Sequence, residues 1–196
     1  MADLIRTKEN LEQLGYRVSL FSTAEEAADY LDGAIDGCTV GFGGSVTVEQ
    51  LGLYPRLAAH NDARWHWQGA GLADQLDTQV YLCSVNGLAE TGEIVNIDGT
   101  GNRIAATLFG HERVYLIVGR NKIAPDYEGA LWRARNIAAP KNAQRLGKDT
   151  PCAAKADRCY NCRSPQRICR ALSVFWEKPT GSPVIEVVLV DRDLGY

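Results

Sequence analysis

The chain has 196 residues, of which 45% are hydrophobic and 23% are charged, and its formal net charge is −3. These values are ordinary for a globular protein that buries its core without disulfide bonds. The slightly acidic balance argues against nucleic acid or an anionic membrane as a partner. The N-terminus lacks the apolar core of a secretory signal, and no apolar run approaches the ~20 residues that span a bilayer. We therefore expect a cytoplasmic protein without membrane insertion.

The predicted elements of the N-terminal part alternate between helices and strands. Three leucines between residues 4 and 14 lie at helical spacing, and residues 16–21 alternate as in a strand. Thr23 is placed to cap a helix over residues 24–31, and residues 38–42 have the pattern of a short buried strand. This succession predicts an α/β layered fold.

The rest of the chain continues the alternation. Five further segments are strand candidates, at residues 80–85, 93–97, 113–118, 171–176 and 184–190. A short helix is predicted over residues 103–108, and a longer one begins after Asp126 and ends at Ile137. The link over residues 179–183 contains two prolines and a glycine, which predicts a hairpin-like return between the last two strands. We expect a single α/β domain over residues 1–196.

Four cysteines near the C-terminus have the spacing C-x6-C-x2-C-x6-C, and they are Cys152, Cys159, Cys162 and Cys169. In a reducing compartment such a cluster indicates a metal site more than disulfide bonds. Four thiolates complete either a zinc site or an iron–sulfur cluster of the 4Fe-4S type. The spacing matches neither the paired knuckles of a zinc ribbon nor the bacterial ferredoxin run, and we favour iron–sulfur over zinc. The alternative is a surface loop of reduced or paired cysteines.

The segment that contains these cysteines is basic. Between Arg133 and Arg170 there are ten basic residues and two acidic ones. One interpretation is a solvated face, and another is a binding surface for an acidic protein or nucleic acid. The predicted metal-binding loop covers residues 148–170. Cys38 and Cys83 lie inside apolar runs and are predicted to be core residues.

A glycine-rich segment at residues 41–52 follows a predicted strand and begins a predicted helix. It lacks the Gly-Lys-Ser/Thr ending of a phosphate-binding Walker loop, and Val46 stands where a dinucleotide fingerprint has its third glycine. Its small residues expose backbone N–H groups, and Thr47 with Gln50 has the pattern of a capping box. Such a helix start favours a carboxylate or phosphate ligand, and a tight structural turn is the alternative.

A second polar turn, at residues 86–92, lies between two predicted strands. Polar residues at the carboxyl end of a strand are well placed to face a ligand crevice. Glu90 in this turn could act as a general base or nucleophile, or could cap the turn. The three histidines, His60, His66 and His111, are dispersed and have no partner at metal-ligand spacing.

These segments, in this order, resemble the lactate-utilisation (LUD domain) family. The similarity rests on Gly-Phe-Gly-Gly-Ser-Val-Thr-Val-Glu at 41–49, Ala-Glu-Thr-Gly at 89–92, and the strand at 113–118 with Gly-Arg-Asn-Lys-Ile after it. Ser-Pro-Gln-Arg-Ile-Cys at 164–169 and the ending Asp-Leu-Gly-Tyr extend it. The resemblance implies a mostly parallel central sheet flanked by helices, similar to the fold of ribose phosphate isomerases and CoA transferases. It also implies a link to bacterial oxidation of lactate beside iron–sulfur proteins.

The resemblance further implies a crevice for a small anionic metabolite. By this analogy two groups of residues face each other across it: Gly43, Gly44, Ser45, Thr47 and Glu49 on one side, and Glu90, Thr91 and Gly92 on the other, with Glu90 as the catalytic candidate. The four-cysteine motif departs from the shorter lactate-operon members and resembles a stand-alone subgroup of the family.

Three functions follow from these residues. The first is a part in oxidising lactate or a related 2-hydroxy acid, with a four-cysteine iron–sulfur site and an iron–sulfur redox partner protein. The second is an isomerase or an acyl- or CoA-transfer enzyme with structural zinc, and the third is a binding module that uses the basic cysteine-rich loop. Each of these three functions is compatible with a homo-oligomer.

Overall fold

The computed structural model describes residues 3–196. Its helices are α1 (Leu4–Gln13), α2 (Ala24–Ala34), α3 (Val46–Gln50), α4 (Leu53–Leu57), α5 (Asn102–Leu108), α6 (Tyr127–Arg133), α7 (Ala139–Arg145) and α8 (Pro151–Lys155). Its strands are β1 (Arg17–Phe21), β2 (Thr39–Phe42), β3 (Asp62–Trp65), β4 (Val80–Cys83), β5 (Gly87–Ala89), β6 (Ile94–Asp98), β7 (Arg113–Gly119), β8 (Ile123–Ala124), β9 (Ala171–Phe175) and β10 (Val184–Val190). Short 3-10 turns occupy His66–Gln68 and Arg120–Lys122, and a π-helical turn occupies Ala134–Ala138.

Six strands form a parallel sheet in the order β1-β10-β7-β4-β2-β3. Its central strands are apolar and buried on both faces, as parallel sheets between helices usually are. Successive side chains of β7 point to opposite faces, so that Tyr115 and Ile117 belong to one core and Leu116 and Val118 to the other. The first core contains residues of α2, α3 and α4, and the second contains residues of α1 and α5.

A second, smaller sheet has the order β8-β5-β6-β9 and mixes parallel with antiparallel pairs. Leu88, Ile94 and Phe175 from three of its strands are buried in the core that also contains Leu116 of the large sheet. This sheet therefore covers part of one face of the parallel sheet. The sequence pattern does not predict its existence.

Several helix starts confirm the capping predictions. Thr23 and Glu26 form a capping box at the start of α2, where the Thr23 side chain accepts from the backbone N–H of Glu26 at 3.2 Å. Asp126 caps α6 by accepting from the backbone N–H of Gly129 at 2.8 Å. Helical structure then continues past Ile137 to the end of α7, so that prediction placed its end too early.

The predicted hairpin between the last two strands is wrong. β9 pairs with β6 in the small sheet, whereas β10 lies between β1 and β7 in the parallel sheet. The turn-rich link over residues 179–183 therefore carries the chain from one sheet to the other. Backbone partners far apart in sequence decide this connection, and a local pattern contains no information about them.

The fold class is confirmed: the protein is α/β, with a parallel sheet flanked by helices. Within residues 3–196 none of the helices has the length and apolar character required to cross a bilayer.

Candidate functional site

Four neighbouring strands of the parallel sheet, β10, β7, β4 and β2, end at the same edge because they run in the same direction. The segments that follow them line a pocket of about 530 Å³, and these segments include Gly44–Thr47, Ser84–Asn86, Lys122 and Gly195–Tyr196. Ligands of open α/β sheets bind outside the carboxyl ends of the strands. This pocket is therefore the candidate site.

The cysteine-containing segment forms the opposite wall of the pocket through residues 165–168 and Arg170. It packs closely on the turn after β6, because a Cβ atom at Gly99 would lie 2.8 Å from the carbonyl oxygen of Ile168. The backbone N–H of Arg170 also donates to the carbonyl oxygen of Asp98 at 2.9 Å. The basic loop thus belongs to the pocket instead of extending away from the fold.

Lys122 brings a buried amine to the pocket, with 5% of its surface exposed. Its Nζ donates to Ser84 Oγ at 2.9 Å and to the carbonyl oxygen of Val85 at 3.2 Å. Burial lowers the pKa of Lys122 to about 7, and the nearby charges of Arg133 and Arg103 act in the same direction. The amine therefore changes charge near neutral pH.

Arg103 fixes the segment after β4 relative to the small sheet. Its guanidinium donates to Ser84 O at 3.1 Å, Asn96 Oδ1 at 3.0 Å, Asn86 Oδ1 at 2.9 Å and Ile97 O at 2.6 Å. A planar group with five donors suits this task better than an amine would. Arg103 therefore holds the pocket wall beside Lys122 in place.

The glycine-rich segment approaches the sheet where side chains would not fit. A Cβ atom at Gly43 would lie 2.7 Å from Tyr81 Oη and 2.9 Å from Cys83 Cβ. A Cβ atom at Gly44 would lie 3.3 Å from the His66 ring. Gly44 thus lines the pocket, whereas Gly43 packs against β4 behind it.

The start of α3 differs from the predicted one. Ser45 is the N-cap, and its Oγ accepts from the backbone N–H of Val48 at 3.3 Å. Thr47 lies inside the helix, fully buried, and Gln50 accepts from the backbone N–H of Gly195 at 2.7 Å. The predicted capping box of Thr47 and Gln50 is therefore wrong, because both side chains contact the C-terminal segment instead. Since α3 has only five residues, its dipole is also weak.

His66 lies in the pocket although its sequence context does not single it out. Its ring contacts Gly44, and its Nδ1 is buried without a hydrogen-bond partner among residues 3–196. Burial lowers its pKa, so the ring is neutral at physiological pH. Beside it Trp67 stacks on Trp65 at 4.9 Å between ring centroids.

Glu90, Thr91 and Gly92 lie away from the glycine-rich segment and do not line the pocket. Glu90 Oε1 accepts from the backbone N–H of Asp3 at 3.0 Å, and its carbonyl oxygen accepts from Asn10 at 2.6 Å. Thr91 donates to Glu93, and a Cβ atom at Gly92 would meet Leu14.

The turn over residues 89–92 therefore contacts α1, and the expected arrangement of this turn across the crevice from the glycine-rich segment is not observed. Glu49, on α3, is exposed and also lies outside the pocket lining. Of the predicted ligand-binding residues, the structure brings Gly44, Ser45 and Thr47 together in the pocket. A catalytic role for Glu90 stays a prediction.

The four cysteines near the C-terminus line one small pocket of about 10 Å³. Three N–H groups donate to their sulfurs: the backbone N–H of Asn161 to Cys159 Sγ at 3.3 Å, Arg135 to the same sulfur at 3.7 Å, and Arg167 to Cys169 Sγ at 3.1 Å. Asn161 has a positive φ of 46°, which turns the chain between Cys159 and Cys162. Donors of this kind stabilise a negatively charged sulfur.

The donor set fits a thiolate-bound metal in its chemistry, because four cysteines with soft sulfur atoms line the same small pocket as cationic side chains. Within residues 3–196, however, no three His, Cys, Asp or Glu side chains form a group arranged to hold a metal ion. All six cysteines are free thiols. The predicted metal site therefore stays a prediction.

Several pocket residues are absent from the predicted site, among them Lys122, Arg103 and Ser84, whereas Asn86 belongs to the polar turn over residues 86–92 that was predicted to face a crevice. Ser84 directly follows β4, and Asn86 and Lys122 lie three residues after the ends of β4 and β7. The carboxyl ends of predicted parallel strands would have indicated them. Arg103 lies on α5, after β6, and no local pattern indicates it.

The chain is similar to known proteins over most of its length. A family model described as LUD domain matches residues 4–190. A crystal structure of a DUF162 family protein from Deinococcus radiodurans shares 15% identity and a TM-score of 0.58, over 95% of this chain and 95% of that chain. At this identity the likeness establishes the fold. No curated protein matches the chain.

Proposed function

The chain belongs to the LUD domain family, and on that premise we propose that it takes part in the oxidation of lactate or a related 2-hydroxy acid. Its own contribution is to bind the small carboxylate metabolite in the pocket at the sheet edge. The two electrons that the acid loses pass to an iron–sulfur redox partner protein, and the two protons pass to water.

The observation that carries this proposal is the buried amine of Lys122 at the carboxyl edge of the sheet. A protonated amine in a poorly hydrated site attracts a carboxylate much more strongly than one in water. Buried Ser45, Thr47 and Ser84 surround the same space with hydroxyl groups. A 2-hydroxy acid offers a carboxylate and a neighbouring hydroxyl, which match a cation and hydroxyl partners.

We further propose that Cys152, Cys159, Cys162 and Cys169 hold a metal, with an iron–sulfur cluster favoured over zinc. An iron–sulfur cluster supplies one-electron transfer when bound. The support is the common pocket of the four thiols and the N–H groups of Asn161, Arg135 and Arg167 on two of the sulfurs. Arg167, Ile168 and Ala139 line this pocket and the larger one, so the two sites share a wall.

The experiment is calorimetric titration of the full chain with lactate. We expect wild type to bind lactate and the Lys122→Met variant to lose at least about tenfold in affinity, because a charge-assisted contact contributes that much. Lys141 is the matched control, since it is exposed on α7 and outside the pocket. Lys141→Met should bind as wild type does. Equal affinity in Lys122→Met and wild type would contradict the proposal.

A further inference from the structure

Six cationic side chains line the pocket at the sheet edge, and they are Arg103, Lys122, Arg145, Lys148, Arg167 and Arg170. Within residues 3–196 none of them makes an ion pair with a carboxylate. One acidic side chain, Asp98, lines the same pocket, and its carboxylate accepts from three backbone N–H groups around the start of α5. In a protein of net charge −3, this pocket is a local concentration of positive charge.

These cationic side chains differ in their exposure to solvent. Lys122 is buried, whereas Arg145 and Arg170 are exposed and Lys148 is half-buried. The pocket therefore has one cation at its buried end and three at its solvent-facing end. A single small carboxylate occupies the first position and leaves the second without a counter-ion.

The two exposed arginines are held in place by neighbouring residues and still have N–H groups without an acceptor in the described part of the chain. Arg145 stacks over Trp67 at 4.9 Å and bonds Asn142 Oδ1 through Nε and Nη2. Arg170 donates from Nε to the carbonyl oxygen of Arg167 and from Nη2 to the carbonyl oxygen of Pro165. Nη1 of each makes no hydrogen bond within the described chain. Positioned guanidinium groups of this kind suit a phosphate, whose oxygens accept several donors at once.

The size of the pocket also favours a ligand larger than lactate. Its volume of about 530 Å³ lies within the range of roughly 300 to 1,000 Å³ that is typical of small-molecule sites. Lactate has only six non-hydrogen atoms. Pockets of this volume ordinarily bind ligands several times larger than a three-carbon acid.

We propose that the ligand of this pocket is a phosphorylated 2-hydroxy acid. This inference rests on the proposed function and specifies its substrate class. The carboxylate binds at the Lys122 end, and the phosphate binds between Arg145, Lys148 and Arg170. The phosphate supplies a counter-ion for the three cations that are more exposed than Lys122.

The test compares glycerate, 3-phosphoglycerate and inorganic phosphate by calorimetric titration of the full chain. Glycerate and 3-phosphoglycerate are both 2-hydroxy acids and differ only in the phosphate. We expect 3-phosphoglycerate to bind at least about tenfold more tightly than glycerate or inorganic phosphate. Arg145→Gln and Lys148→Gln should each remove about tenfold of this affinity and leave glycerate unaffected. Lys141→Gln, on the same helix as Arg145, is the control and should change neither ligand.

The outcomes separate this inference from the proposed function. If wild type binds glycerate, Lys122→Met does not, and 3-phosphoglycerate binds no more tightly than glycerate, the phosphate subsite is refuted and the proposed function stands. If 3-phosphoglycerate binding depends on Arg145 and Lys148 but not on Lys122, and glycerate does not bind, the subsite stands and the proposed function is refuted. Equal binding of inorganic phosphate and 3-phosphoglycerate would refute the combined ligand.

Discussion

The backbone of Gly195 lies directly against the side chain of Thr47, so that a Cβ atom at Gly195 would stand 2.5 Å from Thr47 Oγ1. The same Cβ atom would stand 3.2 Å from Lys122 Nζ. Three segments distant in sequence thus meet at one point of the pocket: the end of the chain, the start of α3 and the residues after β7.

This contact predicts a difference between two glycine substitutions. Gly195 and Gly37 have the same φ of 62°, but a Cβ atom at Gly37 would meet nothing within 4 Å. Gly37→Ala therefore introduces only backbone strain, about 1 kcal/mol. Gly195→Ala adds the overlap with Thr47, and we expect it to cost about 1 to 3 kcal/mol more. Denaturant unfolding measures both values, and equal losses would show that the end of the chain does not hold this position.

The buried amine of Lys122 predicts how the free energy of unfolding changes with pH. Its pKa in the folded protein is about 7, whereas a lysine in an unfolded chain has a value near ~10.4. Between these pH values the unfolded chain carries the proton and the folded protein does not. Unfolding therefore takes up a proton, and raising the pH over this range stabilises the folded state.

The measurement compares wild type with Lys122→Met by denaturant unfolding between about pH 7.5 and 9.5. This range lies between the pKa values of Lys122 in the folded and the unfolded states. We expect wild type to gain about 1 kcal/mol per pH unit relative to the variant, and the difference to become flat below about pH 7. Lys141→Met should reproduce the wild-type slope. Parallel curves for wild type and Lys122→Met would show that the amine is not buried in solution.

Glu90 provides a prediction that separates a structural role from a role in ligand binding. Its carboxylate accepts from the backbone N–H of Asp3, which caps α1. Glu90→Ala removes the acceptor, and we expect a loss of about 1 kcal/mol in the free energy of unfolding. Glu90→Gln retains an acceptor oxygen and should be close to wild type. Both variants should bind lactate normally, and a loss of lactate binding in a folded Glu90→Gln would show that Glu90 contacts the ligand.

Five of the six strands of the large sheet were predictable because they leave a strong local signal, whereas β3 was not predicted. Residues 114–118 form an uninterrupted apolar run, as expected for a strand covered on both faces, and they lie in β7. The small sheet was not predictable, because β5 has three residues and β8 has two. Segments this short have no periodicity, and their pairing depends on partners elsewhere in the chain.

The site was predictable only where it follows a predicted strand directly. Gly44 and Ser45 follow β2 and line the pocket as expected. Glu90 follows β5 instead of β4, and β5 belongs to the small sheet, so that its carboxyl end faces α1. Lys122 was missed because lysine is usually a surface residue, and only the packing of three segments around it buries its amine.

The four-cysteine pocket provides the last prediction, which concerns metal content. Full-length protein purified without oxygen should contain iron and acid-labile sulfide and absorb visible light, because an iron–sulfur cluster is the favoured occupant. Zinc without colour would favour the structural alternative. Cys162→Ser removes one of the thiols that share the pocket, and we expect it to lower the metal content and to make the tail more sensitive to limited proteolysis. The parallel sheet should stay folded, since the loop lies outside it.

Cys38→Ser is the matched control, because Cys38 is a free, half-buried thiol outside this pocket. It should leave the metal content and the proteolysis pattern unchanged. A metal-free wild type whose tail resists cleavage as well as that of Cys162→Ser would refute the metal proposal. The hydrogen bonds from Asn161 and Arg167 to sulfur would then serve only to order the loop that lines the pocket at the sheet edge.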